Sequence, residues 1–243
     1  IHNPVEKYAR KDAFCFAGAY YTRYPERTEN LENFLEHLST AKQFDIYDRN
    51  FGKNDPAYQF PEKYSPYILG SLPFDEIDKA YKGYRYAINL NSVKNSQTMF
   101  ARRVYELLAS NTIVLSNFSR GVRTLFGDLV ISSDSGEQAL DRLTRMESLP
   151  FGAERVRLAA LRKALQEHTY ELRLAYIAEK TGVRDSARLQ RPHVTMVAMA
   201  RDGKELEAAV GHFKRQRYDQ CSLVVFAGSG AQSASRAANE HIT

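Results

Sequence analysis

The chain has 243 residues, of which 43% are hydrophobic and 26% charged, the usage of an ordinary globular protein long enough to bury a real core. Disorder is excluded on that composition, and no run of about 18 apolar residues marks a membrane span. The opening IHNPVEKYARKD lacks the apolar stretch of a signal peptide, and a start at Ile1 rather than Met points to a fragment of a longer chain. Cys15 and Cys221 each sit alone in an apolar run, which supports neither a disulfide framework nor a zinc site and fits a reducing cytoplasm. The formal net charge is +5, and +4 of it falls between residues 151 and 191, where nine basic residues face five acidic ones. That is the pattern of a solvated helix face. A nucleic-acid groove would interleave aromatic residues with the basic ones, and only Tyr170 and Tyr176 do so, so no nucleic-acid partner is expected.

Short apolar runs alternate with amphipathic stretches, the sign of βαβ units and a parallel sheet. Residues 13–17 (AFCFA) read as a buried strand ending at Gly18, followed by the loop AYYTRYPER. Leu31, Phe34, Leu35 and Leu38 then follow helical spacing. FDIY at 44–47 is the next strand, and the long polar stretch after it carries three prolines and reads as loop. YILGSLPFDEIDKAY gives a strand, a turn and a short helix; RYAINL at 85–90 is a strand; residues 96–110 are a helix. A strand at 112–116, a short helix at 122–126, a strand at 129–132 and a helix at 137–146 complete a doubly wound set. From 152 to 178, Val156, Ala160, Ala164, His168, Leu172 and Tyr176 recur every fourth residue, which predicts one long helix, with Gly182 as its stop. RDSARLQRP reads as a linker. VTMVAMA, a helix at 203–217 and SLVVFAG then form a small strand, helix and strand unit. The expected organisation is an α/β domain over 1–150, a basic helix and linker over 151–191, and a partial α/β unit over 192–243.

In such sheets ligands bind beyond the carboxyl ends of the strands. After the first strand, Gly18 permits close backbone approach while Tyr20, Tyr21 and Arg23 are placed to stack on or pair with a ligand. A turn glycine with surface aromatics fits the same residues. After RYAINL, the loop NSVKNSQT leads into a helix whose free N–H groups would receive a phosphate, with Lys94 adding charge; ordinary capping by Ser96 is the alternative. Arg103 and Glu106 lie three apart, so they share a helix face, and on spacing alone they read as a surface ion pair.

RRVYELLASNTIVLSNFSRGVRTLFGD, with GSLPFDEIDKAY upstream and HTYELR downstream, resembles the C-terminal domain of GT-B glycosyltransferases, in the group that includes the spore-maturation protein CgeB. The resemblance covers roughly residues 12–178. It implies that the chain is a Rossmann-like GT-B half that binds a nucleotide diphosphate sugar, as part of a hexosyltransferase-type enzyme whose acceptor-binding half precedes Ile1. By position Glu106 inherits the glutamate that holds the ribose hydroxyls, a task for a carboxylate accepting two hydrogen bonds. The segment FAGAYYTRYPER, with Gly18, Tyr20 and Arg23, matches the phosphate-side loop, and GSLP, with Ser71 and Leu72, the loop near the base. Ser96, Gln97 and Thr98 fall at the opening of the helix that carries Arg103 and Glu106. Arg23, Lys94 and Arg103 would meet the diphosphate, so no cofactor and no obligatory metal is expected. No catalytic base is nominated here, and the acceptor is unidentified.

Two positions depart from the pattern. Asn111 stands where glycine is usual, a position Asn tolerates. Related retaining enzymes carry a further glutamate eight residues before Glu106, where this chain has Thr98. His168 matches a recurrent family histidine but lies on the apolar stripe, which favours a core role. The tail from Pro192 is similar to the start of family-2, GT-A glycosyltransferases, although Phe226, Ala227, Gly228 and Ser229 stand in place of their Asp-Asp-Gly-Ser. A scaffolding or non-catalytic nucleotide-binding module is the alternative these departures leave open.

Overall fold

In the computed structural model residues 2–182 and 193–227 are described. The expected linker at 184–192 and the stretch 228–243, with Gly228 and Ser229, lie outside them. The chain divides into two compact units between Leu172 and Arg173.

The first unit alternates strands and helices: β1 (Lys11–Gly18), α1 (Pro25–Leu38), β2 (Phe44–Asp48), β3 (Ile68–Gly70), α2 (Asp78–Lys82), β4 (Tyr84–Asn89), α3 (Arg103–Ala109), β5 (Ile113–Ser116), α4 (Arg120–Phe126), β6 (Ile131–Ser132), α5 (Gly136–Ser148) and α6 (Gly152–Glu167). All six strands are parallel and lie in the order β3-β2-β1-β4-β5-β6, the doubly wound arrangement that the alternation predicts.

A central parallel strand is covered on both faces, so it reads as a continuous apolar run. β1 obeys this with period two. Phe14 and Phe16 join Leu31, Phe34, Leu35 and Leu38 of α1 and Leu143 of α5. Ala13, Cys15 and Ala17 join Tyr81 of α2, Val104 and Leu107 of α3, and Ala160 and Ala164 of α6. Large residues fill one side and small ones admit helices on the other. Burial pushes the Cys15 thiol up, so it stays protonated and serves as a small core residue.

Three expectations are corrected. The helix expected from Ser96 begins only at Arg103. Ser96 Oγ accepts the N–H groups of Thr98 (3.3 Å) and Met99 (2.9 Å), and Asn91 Oδ1 accepts that of Ala101 (2.8 Å). Side chains thus satisfy the donors that a helix would have used, and 91–102 is a pinned loop. The long helix expected over 152–178 is broken: α6 ends at Glu167 and α7 (Tyr170–Lys180) starts afresh, with Thr169 Oγ1 accepting the Leu172 N–H at 3.3 Å. At the break His168 turns its ring onto Tyr105 and Phe126, 5.0 and 5.4 Å between centroids, in the core role favoured for it. Finally, the boundary expected near residue 150 falls inside the packed unit, because α6 lies against α3 and β5. α7 crosses the division between the two units.

In the second unit, β7 (Val194–Ala200) and β8 (Cys221–Ala227) pair in parallel, and α8 (Gly203–Lys214) connects them. The Asp202 side chain caps α8 by accepting the Glu205 N–H at 2.9 Å. This is the strand, helix and strand read from the sequence.

The segment before β1 is tied to α2 by charge. Asp78 and Lys82, both buried, lie 3.4 Å apart; Lys7 Nζ reaches Asp78 at 2.8 Å and Lys82 Nζ donates to Asn3 Oδ1 at 3.0 Å. Burial alone would raise the Asp78 carboxyl, but Lys7 and Lys82 outweigh it and hold the group below its usual range. Asp78→Asn strands the buried Lys82 charge and is expected to cost about 3–5 kcal/mol in urea denaturation. A carboxyl lowered on folding stabilises above its unfolded pKa of about 3.9 and loses that contribution as pH falls through the folded value. The gap between wild type and variant should therefore be full at neutral pH and shrink below about pH 4.

Candidate functional site

The strand order reverses between β1 and β4, so their carboxyl ends open a crevice flanked by the loops 19–24 and 90–102. Phe16, the last aromatic residue of β1, lies in the core on the side of the loop 19–24 and is fully buried. A Cβ at Gly18 would lie 2.5 Å from Phe16 Cζ, so only glycine lets the chain pass over this ring. The guanidinium carbons of Arg27 and Arg103 stand 6.0 and 5.9 Å from the same ring centroid. One aromatic ring is thus bracketed by two cations from opposite layers of the sandwich.

Arg27 is 4% exposed. Its Nη1 donates to the Ala19 carbonyl at 3.0 Å and its guanidinium lies 4.6 Å from the Tyr21 ring centroid. Among the described residues it forms no ion pair. Burial, then the positive charges of Arg103 and Arg49, drive its pKa down to about 10. Arg49, at the end of β2, donates its backbone N–H to the Gly18 carbonyl at 2.8 Å. The Arg49 side chain is exposed, and its charge adds to that of Arg103 in acting on Arg27. The loop itself is braced: Thr22 donates twice to the Ala57 carbonyl, and Tyr21 packs on Tyr58 at 5.4 Å.

The residues nominated from sequence divide into groups. Gly18 and Arg103 meet in the crevice. Tyr20 is buried, its hydroxyl donating to Glu32 Oε1 at 2.6 Å and its ring packing on Phe60, so it braces the loop from below. Arg23 is on the surface, over the Tyr24 ring. Lys94 is engaged: its Nζ lies 2.7 Å from Glu26 Oε1 and 2.9 Å from Asp134 Oδ1, bridging the start of α1 to the loop after β6. Burial would lower its pKa, and the two carboxylates more than reverse that. Ser96, Gln97 and Thr98 lie on the pinned loop, with Gln97 and Thr98 exposed. Ser71 and Leu72 follow β3, two strands from the crevice, after a turn in which Gly70 adopts φ +116°, open to glycine but not to side-chain-bearing residues.

Glu106 is 14% exposed, one turn along α3 from Arg103, and the two do not pair. Instead Arg102 Nε donates to Glu106 Oε1 at 2.7 Å, and the Tyr81 hydroxyl donates to Oε2 at 3.1 Å. Burial, ahead of the neighbouring charges, raises the Tyr81 phenol and keeps it a donor, while the nearby Arg103 charge pulls the other way.

Sequence reasoning overlooked Arg27, Tyr81 and a buried amide network. Asn117 Oδ1 accepts the Asn91 N–H at 2.8 Å, and its Nδ2 donates to the Asn91 carbonyl (3.0 Å) and to Asn30 Oδ1 (3.1 Å). These bonds tie the start of the loop 90–102 to the end of β5 and to α1. Arg27 carried one usable signal, a basic residue in the first turn of a helix, where the dipole disfavours cations.

Two arginines beside the switch point of a doubly wound sheet lie where the ligands of such α/β folds bind. The comparisons agree in class: residues 23–179 match a family described as glycosyl transferase-like, and the chain belongs to that family. No curated protein matches. Among solved structures, an α,α-trehalose-phosphate synthase (UDP-forming) from Burkholderia vietnamiensis is similar at a TM-score of 0.51 and 11% identity, over 74% of this chain and 46% of that one. A GtfA/B complex aligns at a TM-score of 0.49 and 13% identity, over 76% of this chain and 39% of that one. The chain thus spans less than half the length of these neighbours, and at such identity the likeness is one of fold, that of a GT-B half. Among the described residues no helix is long and apolar enough to cross a membrane, and no three His, Cys, Asp or Glu side chains cluster as metal ligands.

Gly18→Ala should push against the buried Phe16 ring and lower stability by about 1–3 kcal/mol. Adding Phe16→Leu makes room for the new methyl, so the double variant should be less destabilised than the two single losses together, as read by thermal or urea denaturation.

Proposed function

We propose that this chain is the donor half of a GT-B glycosyltransferase: it binds a nucleotide diphosphate sugar across the crevice, and the sugar passes to an acceptor held by a second half of the enzyme. The observation that carries this reading is the Arg27 and Arg103 pair. Two guanidinium groups flank one ring, and the buried Arg27 has no carboxylate partner among the described residues, in a chain of glycosyl transferase-like family. A buried cation with no protein counter-ion is stabilised by an incoming anion. On this reading the diphosphate lies over Gly18 between Arg27 and Arg103. Glu106 takes the ribose hydroxyls, and Ser71 and Leu72 approach the base. Ser96, Gln97 and Thr98 border the sugar, while Tyr20 and Lys94 brace the surrounding loops. As the sugar leaves, negative charge grows on the diphosphate, and preorganised guanidinium groups stabilise it with basic side chains rather than a bound metal.

A second reading, a nucleotide-binding module without turnover, draws on Thr98, an exposed hydroxyl where retaining relatives are expected to carry a carboxylate. The readings separate by experiment. Calorimetry with UDP first, then ADP, GDP and CDP, measures binding; release of nucleotide from the matching sugar donor measures transfer or hydrolysis. Binding without release favours the module, and no binding by any nucleotide sinks both.

Arg27→Met keeps the aliphatic stem and removes the charge. Loss of charged hydrogen bonds worth about 1.5–3 kcal/mol should weaken diphosphate affinity roughly ten- to hundredfold while affinity for the bare nucleoside stays the same. Because the charge is buried without a counter-ion, the variant should melt at or above the wild-type temperature when no nucleotide is present. Equal losses for nucleoside and diphosphate would remove Arg27 from the diphosphate site.

A further inference from the structure

Glu106 cannot hold a ribose diol well unless its carboxylate is already aimed, because a free Glu side chain loses up to about 1.5–2 kcal/mol of rotamer freedom on being ordered. Three groups face it. Arg102 Nε bonds Oε1, but that arginine is 72% exposed and is a weak, screened anchor. His2 Nε2 stands 3.8 Å from Oε1, and burial lowers the pKa of its ring. Tyr81 is different. It is buried in the core layer between α2 and α3, its backbone carbonyl accepts the Thr112 hydroxyl, its own hydroxyl donates to Glu106 Oε2 at 3.1 Å, and the Arg103 charge lies close enough to act on it. One rigid phenol therefore holds the ribose-side glutamate from a neighbouring helix. A carboxylate has about four acceptor directions; Tyr81 and Arg102 use one on each oxygen and leave one on each for a vicinal diol.

We propose that Tyr81 is a positioning residue for ribose recognition: its hydroxyl fixes the Glu106 carboxylate so that the two free acceptor directions meet the 2′ and 3′ hydroxyls of the nucleotide. The inference rests on the ribose role proposed for Glu106. It extends that role to a residue from another helix that does not itself touch the nucleotide.

The test is the ratio of dissociation constants for 2′-deoxy and ribo forms of the tightest-binding nucleotide among UDP, ADP, GDP and CDP, measured on the full chain. Wild type should prefer the ribo form about tenfold. Tyr81→Phe keeps the ring in its packing and removes only the hydroxyl; the preference should fall to about threefold or less, with most of the loss in ribo affinity. Glu106→Gln should also abolish it, and the double variant should match Glu106→Gln, because Tyr81 acts only through the carboxylate. If Tyr81→Phe melts lower yet keeps the wild-type ratio, Tyr81 is only a packing residue and the proposal is wrong. If wild type itself binds nucleotide without preferring the ribo form, the ribose role of Glu106 fails, and that of Tyr81 with it.

Discussion

β1 must bury both faces at once, and most of the first unit follows from how it does so. Its large side chains, Phe14 and Phe16, meet α1 and α5, while Ala13, Cys15 and Ala17 let α2, α3 and α6 approach closely. The same alternation sets the site. Phe16 is the last large residue of the strand, and its ring lies where a side chain on Gly18 would go, with an arginine from each helical layer near the same aromatic surface. Core packing and ligand chemistry thus meet on a single side chain.

Charge in this unit is arranged by two opposite rules. At Asp78 and Lys82 the buried charges neutralise each other, as a structural pair must. At Arg27 and Arg103 like charges are gathered and the buried member is left without a counter-ion among the described residues, an arrangement that opposes folding. Lys94 follows the first rule: two carboxylates hold it as a strap across the carboxyl edge of the sheet. Three basic residues near one crevice therefore have different work, decided by what lies beside each rather than by charge alone.

The loop between β4 and α3 shows how such a site is kept in place without regular structure. Its backbone donors end on Asn91, Ser96 and Asn117, and the Arg120 N–H reaches the Lys94 carbonyl at 2.7 Å. A loop tied in this way keeps its shape while leaving Gln97 and Thr98 exposed to whatever enters the crevice.

By itself the sequence determined what depends on periodicity and local chemistry. The doubly wound alternation, the two-faced strand 13–17, the glycine after it and the strands flanking α8 are all legible, because burial writes itself as apolar runs. The resemblance around Arg103 and Glu106 drew attention to α3. Tertiary structure decided the rest. Whether Ser96 starts a helix or closes a turn depends on Asn91, ten residues from the Ala101 N–H that it accepts. Whether 152–178 is one helix or two depends on His168 finding Tyr105 and Phe126. Spacing pairs Arg103 with Glu106, but the fold brings Tyr81 to Glu106 from a helix some twenty-five residues earlier. Which arginine lacks a counter-ion is likewise invisible along the chain, since an ion pair is a property of distance in space, and only the folded sheet sets those distances.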